Sequence, residues 1–459
     1  MLQEDHIAHT LQSHRELSFI DGFFADHPTA GLYLVGGAVR DALLARHPRE
    51  VDFDFVVTGL AAQKLEAWFR TRGAINLVGQ HFGVYKFMPT GFSPEHIEFI
   101  DIALPRTEMV TQGSLGGYKD FDVQSDPNLP IEEDLARRDF TINAMAFDVR
   151  TQTLIDPFNG RTDLAQKTLR AVGDPTQRFT EDLSRILRGI RFASELDFVI
   201  EEETGQAIKT LIPKLNLQKD VEGKREYVVP RETVGMELAK ALCRNPAHAI
   251  KELEAHGALQ ELFPEIHKKI GQTSSYLAPL QETTPGELTV VLTLLLRDLS
   301  LDNVRQTLSF TGLDTLARGS SQRTEAQIVT MLVQLLQEDT DPTSINKMRA
   351  SKFEKRYFNG TGLLFLRCLE VLGHTDLKRA IETRRKQIED RWLVDHDESI
   401  APLLSGQDVL AKGVSTGPEI RIWLERVRDL QLDGTLMRRE DALAWLATQI
   451  KLNKNPSTD

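Results

Sequence analysis

Cysteine is almost absent from this 459-residue chain: Cys243 and Cys368 stand far apart, without the spacing of a metal-ligand pair. That excludes a disulfide-built scaffold and a cysteine-ligated zinc module as organising devices, and it fits a reducing compartment. Long apolar runs are also missing. No stretch reaches membrane-spanning length, and the opening Met-Leu-Gln-Glu-Asp-His lacks the basic and apolar regions of a secretory signal, so a cytoplasmic protein without a membrane partner is expected. Positive charge is in deficit, with 55 Lys and Arg against 67 Asp and Glu, a net of −12. Such a chain does not coat nucleic acid through a global positive field. Any polynucleotide would be recognised by shape and a few arginines, with limited salt dependence. What remains, 41% hydrophobic and 27% charged residues, is an ordinary globular composition. The length calls for two to four domains.

The most informative stretch runs from Leu32 to Val57. An apolar run feeds the Gly36-Gly37 turn, Ala38 to Arg46 has helical character, and Val51 to Val57 alternates around two acids, predicting strand, tight turn, helix, strand. Asp52 and Asp54 would then share one strand face, because side chains at i and i+2 project the same way. Two carboxylates that close repel unless a cation separates them, and Mg²⁺ held by one or two carboxylates plus substrate phosphates is the usual occupant. Gly36 and Gly37, lacking Cβ, let backbone N–H groups approach an anion, and Arg40, one turn into the helix, adds charge. Taken singly, a Gly-Gly turn or an Asp-x-Asp edge is often only structural; the conjunction suggests a triphosphate beside a metal.

Residues 1 to 30 read as a helix running into a loop at Pro28, Leu60 to Arg72 as a helix, and Ile75 to Val78, Gly83 to Met88 and Ile97 to Ile102 as strands. From Leu104 to Pro130, Pro105, Gly113, Gly116, Gly117 and Pro130 oppose regular structure and predict a mobile loop over the site. Beyond it, a short helix leads into a strand with Arg137, Arg138 and Asp139 at the junction, where ribose and phosphate contacts are expected rather than a merely solvated corner. After Asp156-Pro-Phe-Asn-Gly160 strand signals become rare. Asp163 to Val172 and Phe179 to Leu196 open a helical series, with Pro230 and Pro246 placed to start later helices.

Within Glu181 to Phe192, Leu183, Ile186, Leu187 and Ile190 form a buried stripe. Asp182 and Arg185, three apart, are neighbours outside it, while Arg188 and Arg191 drift around the axis. A carboxylate only accepts and a guanidinium only donates. Cytosine and adenine each present an amino donor beside a ring-nitrogen acceptor and so match an Asp-then-Arg edge. Guanine and uracil present the opposite order, leaving unpaired polar groups. The alternative is a plain surface ion pair.

Together these motifs resemble the bacterial class II tRNA nucleotidyltransferases, the CCA-adding enzymes, which share a head domain with bacterial poly(A) polymerases. The resemblance is carried by Val35-Gly-Gly-Ala-Val-Arg-Asp41 with Asp52-Phe-Asp54, Arg137-Arg-Asp-Phe-Thr-Ile-Asn-Ala144, Asp156-Pro-Phe-Asn-Gly160 and Glu181-Asp-Leu-Ser-Arg185 running on to Arg191. It is close over roughly 30 to 265 and thins to Ser405-Gly-Gln-Asp408 and Gly417-Pro418 beyond. It implies an α+β nucleotidyltransferase head with a small mixed sheet, then an elongated all-α neck, body and tail, at 1–155, 156–255, 256–370 and 371–459, the tail docking tRNA. It also implies metal at Asp52 and Asp54, triphosphate at Gly37 and Arg40, and nucleotide contacts at Arg138, Arg185, Arg188 and Arg191. Asp139 would meet the ribose, Asp182 with Arg185 would read the base, and Asp101 stands where relatives carry a third acid. Two departures are Pro230-Arg-Glu-Thr-Val234 after a charged insert at 218–226, and Arg421 in the tail where a small residue is common.

The expected activity is template-independent transfer of C, C and A to a tRNA 3′ end. The 3′-hydroxyl attacks the α-phosphate of CTP or ATP, two Mg²⁺ ions on Asp52 and Asp54 stabilise the attacking and leaving oxygens, and pyrophosphate departs. No obligatory protein partner is evident. The alternatives are a poly(A) polymerase, a CC-adding or A-adding partial enzyme, and a non-catalytic RNA-binding relative. The full 104–130 segment speaks against a CC-adder, which commonly lacks it, and the intact acids speak against a non-catalytic relative.

Overall fold

The computed structural model describes residues 3–46, 52–78, 83–93, 99–110, 115–117, 121–273, 275–316, 323–395, 401–414 and 417–454. Val51, Ile97 and Gly113, which the sequence reading used, lie outside them. The chain divides into two compact units, Met1–Thr273 with Thr307–Leu316, and Ser274–Gln306 with Ala317–Asp459. Among the described residues no helix is long and apolar enough to cross a membrane.

The first unit opens with α1 (Gln3–Ser13) and α2 (Phe19–Asp26), then β1 (Gly31–Val35), α3 (Gly37–Leu43), β2 (Asp54–Thr58), α4 (Ala62–Arg70), β3 (Gly73–Val78), β4 (Val84–Pro89) and β5 (Ile100–Ala103). With β8 (Ala146–Asp148) and β9 (Thr153–Ile155), the strands form one mixed sheet in the order β3-β4-β5-β2-β1-β8-β9. Alternation decides its faces. Phe55 and Phe87 turn toward α2 and α4, where Phe19 and Phe69 pack edge-on against them with centroids 4.7 to 6.1 Å apart. On the other face Val35 and Val56 join Ile131 and Leu135 in a second apolar layer. Asp54, two residues before Val56, shares that second face.

The segment expected to be a structureless loop contains an antiparallel hairpin, β6 (Arg106–Val110) and β7 (Phe121–Ser125). The prolines and glycines flank or interrupt it rather than abolish it. The helix α5 (Ile131–Ala136) follows, starting after Pro130 with three acids in its first turn, where the helix dipole favours them. The predicted helix over 163–172 is also corrected. The helix α6 is Gly160–Ala165, Lys167 adopts φ +52°, and Thr168–Leu169 (β10) pairs in parallel with Val199–Ile200 (β11).

Phe179 to Leu196 is not one helix. Asp182 is extended, at φ −141° and ψ 104°, and separates α7 (Pro175–Glu181) from α8 (Ser184–Leu196). Next come α9 (Glu202–Leu211) and a hairpin in the charged insert, β12 (Gln218–Val221) with β13 (Lys224–Tyr227). The helices α10 (Arg231–Arg244) and α11 (Pro246–Ala255) begin at the prolines the sequence marked.

The second unit is helical in its described residues. Its helices Glu325–Glu338, Ala350–Tyr357, Gly360–Val371 and Thr375–Asp395 enclose Leu332, Phe353, Tyr357 and Phe365. A further apolar cluster joins Trp423, Val427 and Leu446 near its end.

Candidate active site

Strand register assembles the acidic part of the site. Asp54 opens β2 beside Asp101 of β5 in a parallel pair, and Asp101 faces Lys86 of β4 in an antiparallel one. Asp52 lies just ahead of β2, exposed, two residues from Asp54. The charges of Asp52 and Asp101 both act on Asp54. Burial, then the charge of Asp52, pushes the Asp54 carboxyl up to about 7, with Asp101 adding to the rise and Arg138 opposing it. Burial and then Asp101 likewise raise Asp52. Lys86 Nζ lies 2.8 Å from Asp101 Oδ1.

The Gly36 turn sits against this edge. Gly36 adopts φ +71° and ψ −136°, a conformation side chains resist. A Cβ there would stand 3.3 Å from both Asp54 Oδ2 and Arg138 Nη1. Arg138 Nη2 donates to Asp134 Oδ2 at 3.2 Å and Nη1 to the Asn143 carbonyl at 3.4 Å, while its buried Nε has no hydrogen-bond partner among the described residues. Burial would raise the fully buried Asp134, but the Arg137 and Arg138 charges bring it below its ordinary value. Arg40 projects from α3 beside Gly37, donating to Asp41 at 3.0 Å and to Asn143 Oδ1 at 2.8 Å.

Asn143 connects these groups to α8. Its Nδ2 donates to Asp139 Oδ1 at 3.2 Å, and Asp139 Oδ2 accepts from Arg188 Nε at 2.9 Å and Nη2 at 2.8 Å. Burial opposes the Asp139 charge, yet Arg188, Asn143 and Arg185 hold the carboxyl down at about 2. Arg191 is turned to Glu237, 2.6 Å, and Glu195, 3.0 Å. The Phe192 ring lies under three guanidiniums, those of Arg40, Arg188 and Arg191, with centroid distances of 5.2, 5.4 and 4.1 Å.

The break at Asp182 rearranges the expected base-reading pair. Asp182 Oδ1 accepts from the Ser184 N–H at 2.9 Å, at the start of α8. Arg185, 8% exposed, donates to Glu181 Oε2 at 3.1 Å and to the Arg178 and Arg137 carbonyls, each at 3.2 Å. Glu181 also holds Arg178, whose Nη2 reaches the Ala136 carbonyl at 2.8 Å. Arg185 is therefore fastened to the end of α5, close to Arg138 and Asp139.

Lys86, Asp134, Asn143, Glu181, Phe192 and Glu237 were not singled out from the sequence. Lys86 was findable: in Val84–Pro89 the strand alternation exposes one charge between two buried aromatics. Asp134, Glu181 and Phe192 stand three or four residues from the arginines they meet, a helical spacing that could have found them, whereas Asn143 reaches Arg40 and Glu237 reaches Arg191 across long sequence separations.

The donor set fits a divalent ion. The carboxylates are all hard oxygen ligands, and burial, then the charges of Asp52 and Asp101, raise Asp54. Among the described residues no group of three or more His, Cys, Asp or Glu closes a ready-made cage. An open site completed by phosphate oxygens and water suits a small hard dication.

Residues 32–170 match the Poly A polymerase head domain. The particular relatives are narrower. The chain is 38% identical over 244 residues to the Multifunctional CCA protein of Stenotrophomonas maltophilia (strain K279a), covering 52% of this chain and 53% of that protein. It thus spans about half the length of the curated relatives it matches. Its fold is that of the CCA-adding enzyme of Bacillus stearothermophilus solved with CTP, at a TM-score of 0.64 and 22% identity over 96% of this chain and 99% of that one. The Thermotoga maritima CCA-adding enzyme complexed with tRNA has the same fold, at a TM-score of 0.52 and 22% identity over 96% and 98%.

Proposed function

We propose that this chain is a tRNA nucleotidyltransferase that adds C, C and A to tRNA 3′ ends without a template, using CTP and ATP and releasing pyrophosphate. The observation that carries the reading is the alignment of Asp54 and Asp101 on adjacent strands, with Asp52 two residues away and the Gly36 turn and Arg138 against them. Bound at these acids, Mg²⁺ would stabilise the attacking and leaving oxygens of an in-line displacement. The protein supplies the rest. Gly36 and Gly37 leave room for the triphosphate, and Arg40 and Arg138 balance its charge. Asp139, fixed by Asn143 and Arg188, meets the ribose, while Asp182 and Arg185 offer the acceptor and donor that suit cytosine and adenine. Arg191, held by Glu237 and Glu195, completes the nucleotide side. We assign the head to 1–155, the neck to 156–255, the body to 256–370 and a tRNA-docking tail to 371–459. Free Cys243 and Cys368 suit the cytoplasm.

The test is extension of tRNA ending at the discriminator base, with CTP alone, ATP alone and both. Addition of two residues, none, and three respectively is expected. Addition stopping after C, addition of A alone to a CC-ended tRNA, or an open-ended A tract would replace the assignment with a partial enzyme or a poly(A) polymerase. Asp54→Ala and Asp52→Ala should each lower transfer at least about a thousandfold, because electrostatic stabilisation of the transition state is lost, with far-UV circular dichroism unchanged.

A further inference from the structure

Lys86, Asp101 and Asp54 form a row straight across β4, β5 and β2. Residues paired across neighbouring strands project from the same face. Lys86 therefore lies on the same face as Asp101 and Asp54, and its ammonium covers one oxygen of Asp101 at 2.8 Å. The bond is accessible rather than locked, with the Lys86 side chain 41% exposed and that of Asp101 25%. An ammonium is a mobile point charge on a flexible stem and can let go of a carboxylate without dismantling the strand.

We propose that Lys86 is a positioning residue that sets the order of assembly at the site. It occupies Asp101 while no triphosphate is present, keeps divalent-ion affinity at that edge low, and yields the carboxylate when a dication and a triphosphate arrive together. The inference rests on the transferase reading above. A dication and an ammonium that share one carboxylate would repel, even at the dielectric constant of water, enough to change affinity about tenfold. The four negative charges of a nucleoside triphosphate reverse that balance, so the lysine penalises the ion alone and not the ion with its nucleotide.

The experiment is a titration of the full-length protein with Mn²⁺, following the free ion by electron paramagnetic resonance, with and without CTP. Without CTP, Lys86→Met should bind Mn²⁺ about tenfold more tightly than the unsubstituted protein, whereas Lys86→Arg should match it. CTP should strengthen Mn²⁺ binding less in Lys86→Met. Adding Asp101→Asn to Lys86→Met should remove most of the gain. Lys86→Gln gives the same comparison should the methionine variant fail to fold. Unchanged or weaker Mn²⁺ affinity in the neutral variants, or an undiminished CTP effect, would overturn the role of Lys86. Failure of the transferase reading looks different: the unsubstituted protein would incorporate no labelled CTP into tRNA, whatever the Mn²⁺ titrations gave.

Discussion

Asp139 is where the chemistry of a single residue is most exposed to test. A buried carboxylate is costly unless it is paired and hydrogen-bonded, and here Arg188, Asn143 and the Phe140 N–H at 2.8 Å supply that pairing. Its folded-state value of about 2 lies below the ordinary 3.8. A depressed carboxylate contributes stability that is fully present above its unfolded value and lost as pH falls through the folded one. Asp139→Asn should therefore be less stable than the parent protein at pH 7 by on the order of 2 kcal/mol. In urea unfolding followed at a series of pH values, the gap should narrow between pH about 4 and about 2. A gap that stays constant across that window would show that the carboxylate charge contributes nothing. Asn143, which also receives Arg40, makes the same residue a link between the two expected halves of the nucleotide site.

At the scale of elements, the junction of α7 and α8 departs most from what the sequence suggested. The buried stripe Leu183, Ile186, Leu187 and Ile190 was readable, and all four are buried. The break had a weak local signal, Asp182, whose side chain accepts from the Ser184 N–H two residues on. A distant contact adds to it: the Leu183 N–H donates to the Gly116 carbonyl at 3.0 Å. Gly116 adopts φ +89°, and a Cβ on it would come within 2.8 Å of the Thr180 carbonyl and Leu183. The segment read as a loop over the site therefore touches the helix read as choosing the base. Gly116→Ala should shift the start of α8 and raise misincorporation of UTP or GTP relative to CTP by severalfold in single-turnover assays, while divalent-ion affinity stays unchanged. Unaltered base discrimination would separate the two elements functionally. The hairpins missed along the chain have the same cause. Strand pairing is non-local, and Arg106–Val110 becomes a strand only because Phe121–Ser125 lies beside it. The turn at Glu222-Gly223 carried half a local signal: both positions adopt positive φ, 54° and 81°, which suits the glycine and not the glutamate. By contrast the Leu32 to Val57 stretch was legible because alternation, a glycine pair and paired acids all pointed one way.

Across the whole molecule, the negative balance and the arginine-rich site make different demands on a polynucleotide. The net charge of −12 repels a polyanion at long range, whereas Arg40, Arg138, Arg185, Arg188 and Arg191 are engaged within the first unit by Asp41, Asp134, Glu181, Asp139 and Glu237. Most of that positive charge is already balanced before any ligand arrives, so few phosphates can release counterions by binding it. Each neutralised phosphate contributes about 0.9 to the slope of log affinity against log salt for a duplex and about 0.7 for a single strand. If tRNA is held chiefly by shape, as proposed, filter binding between about 50 and 300 mM KCl should give a slope no steeper than about −3, the loss equivalent to some three or four contacts. Nonspecific RNA-coating proteins lose affinity far more steeply. A slope near −8 would mean that a wide basic surface operates despite the acidic composition, and the proposed recognition by shape would have to be abandoned.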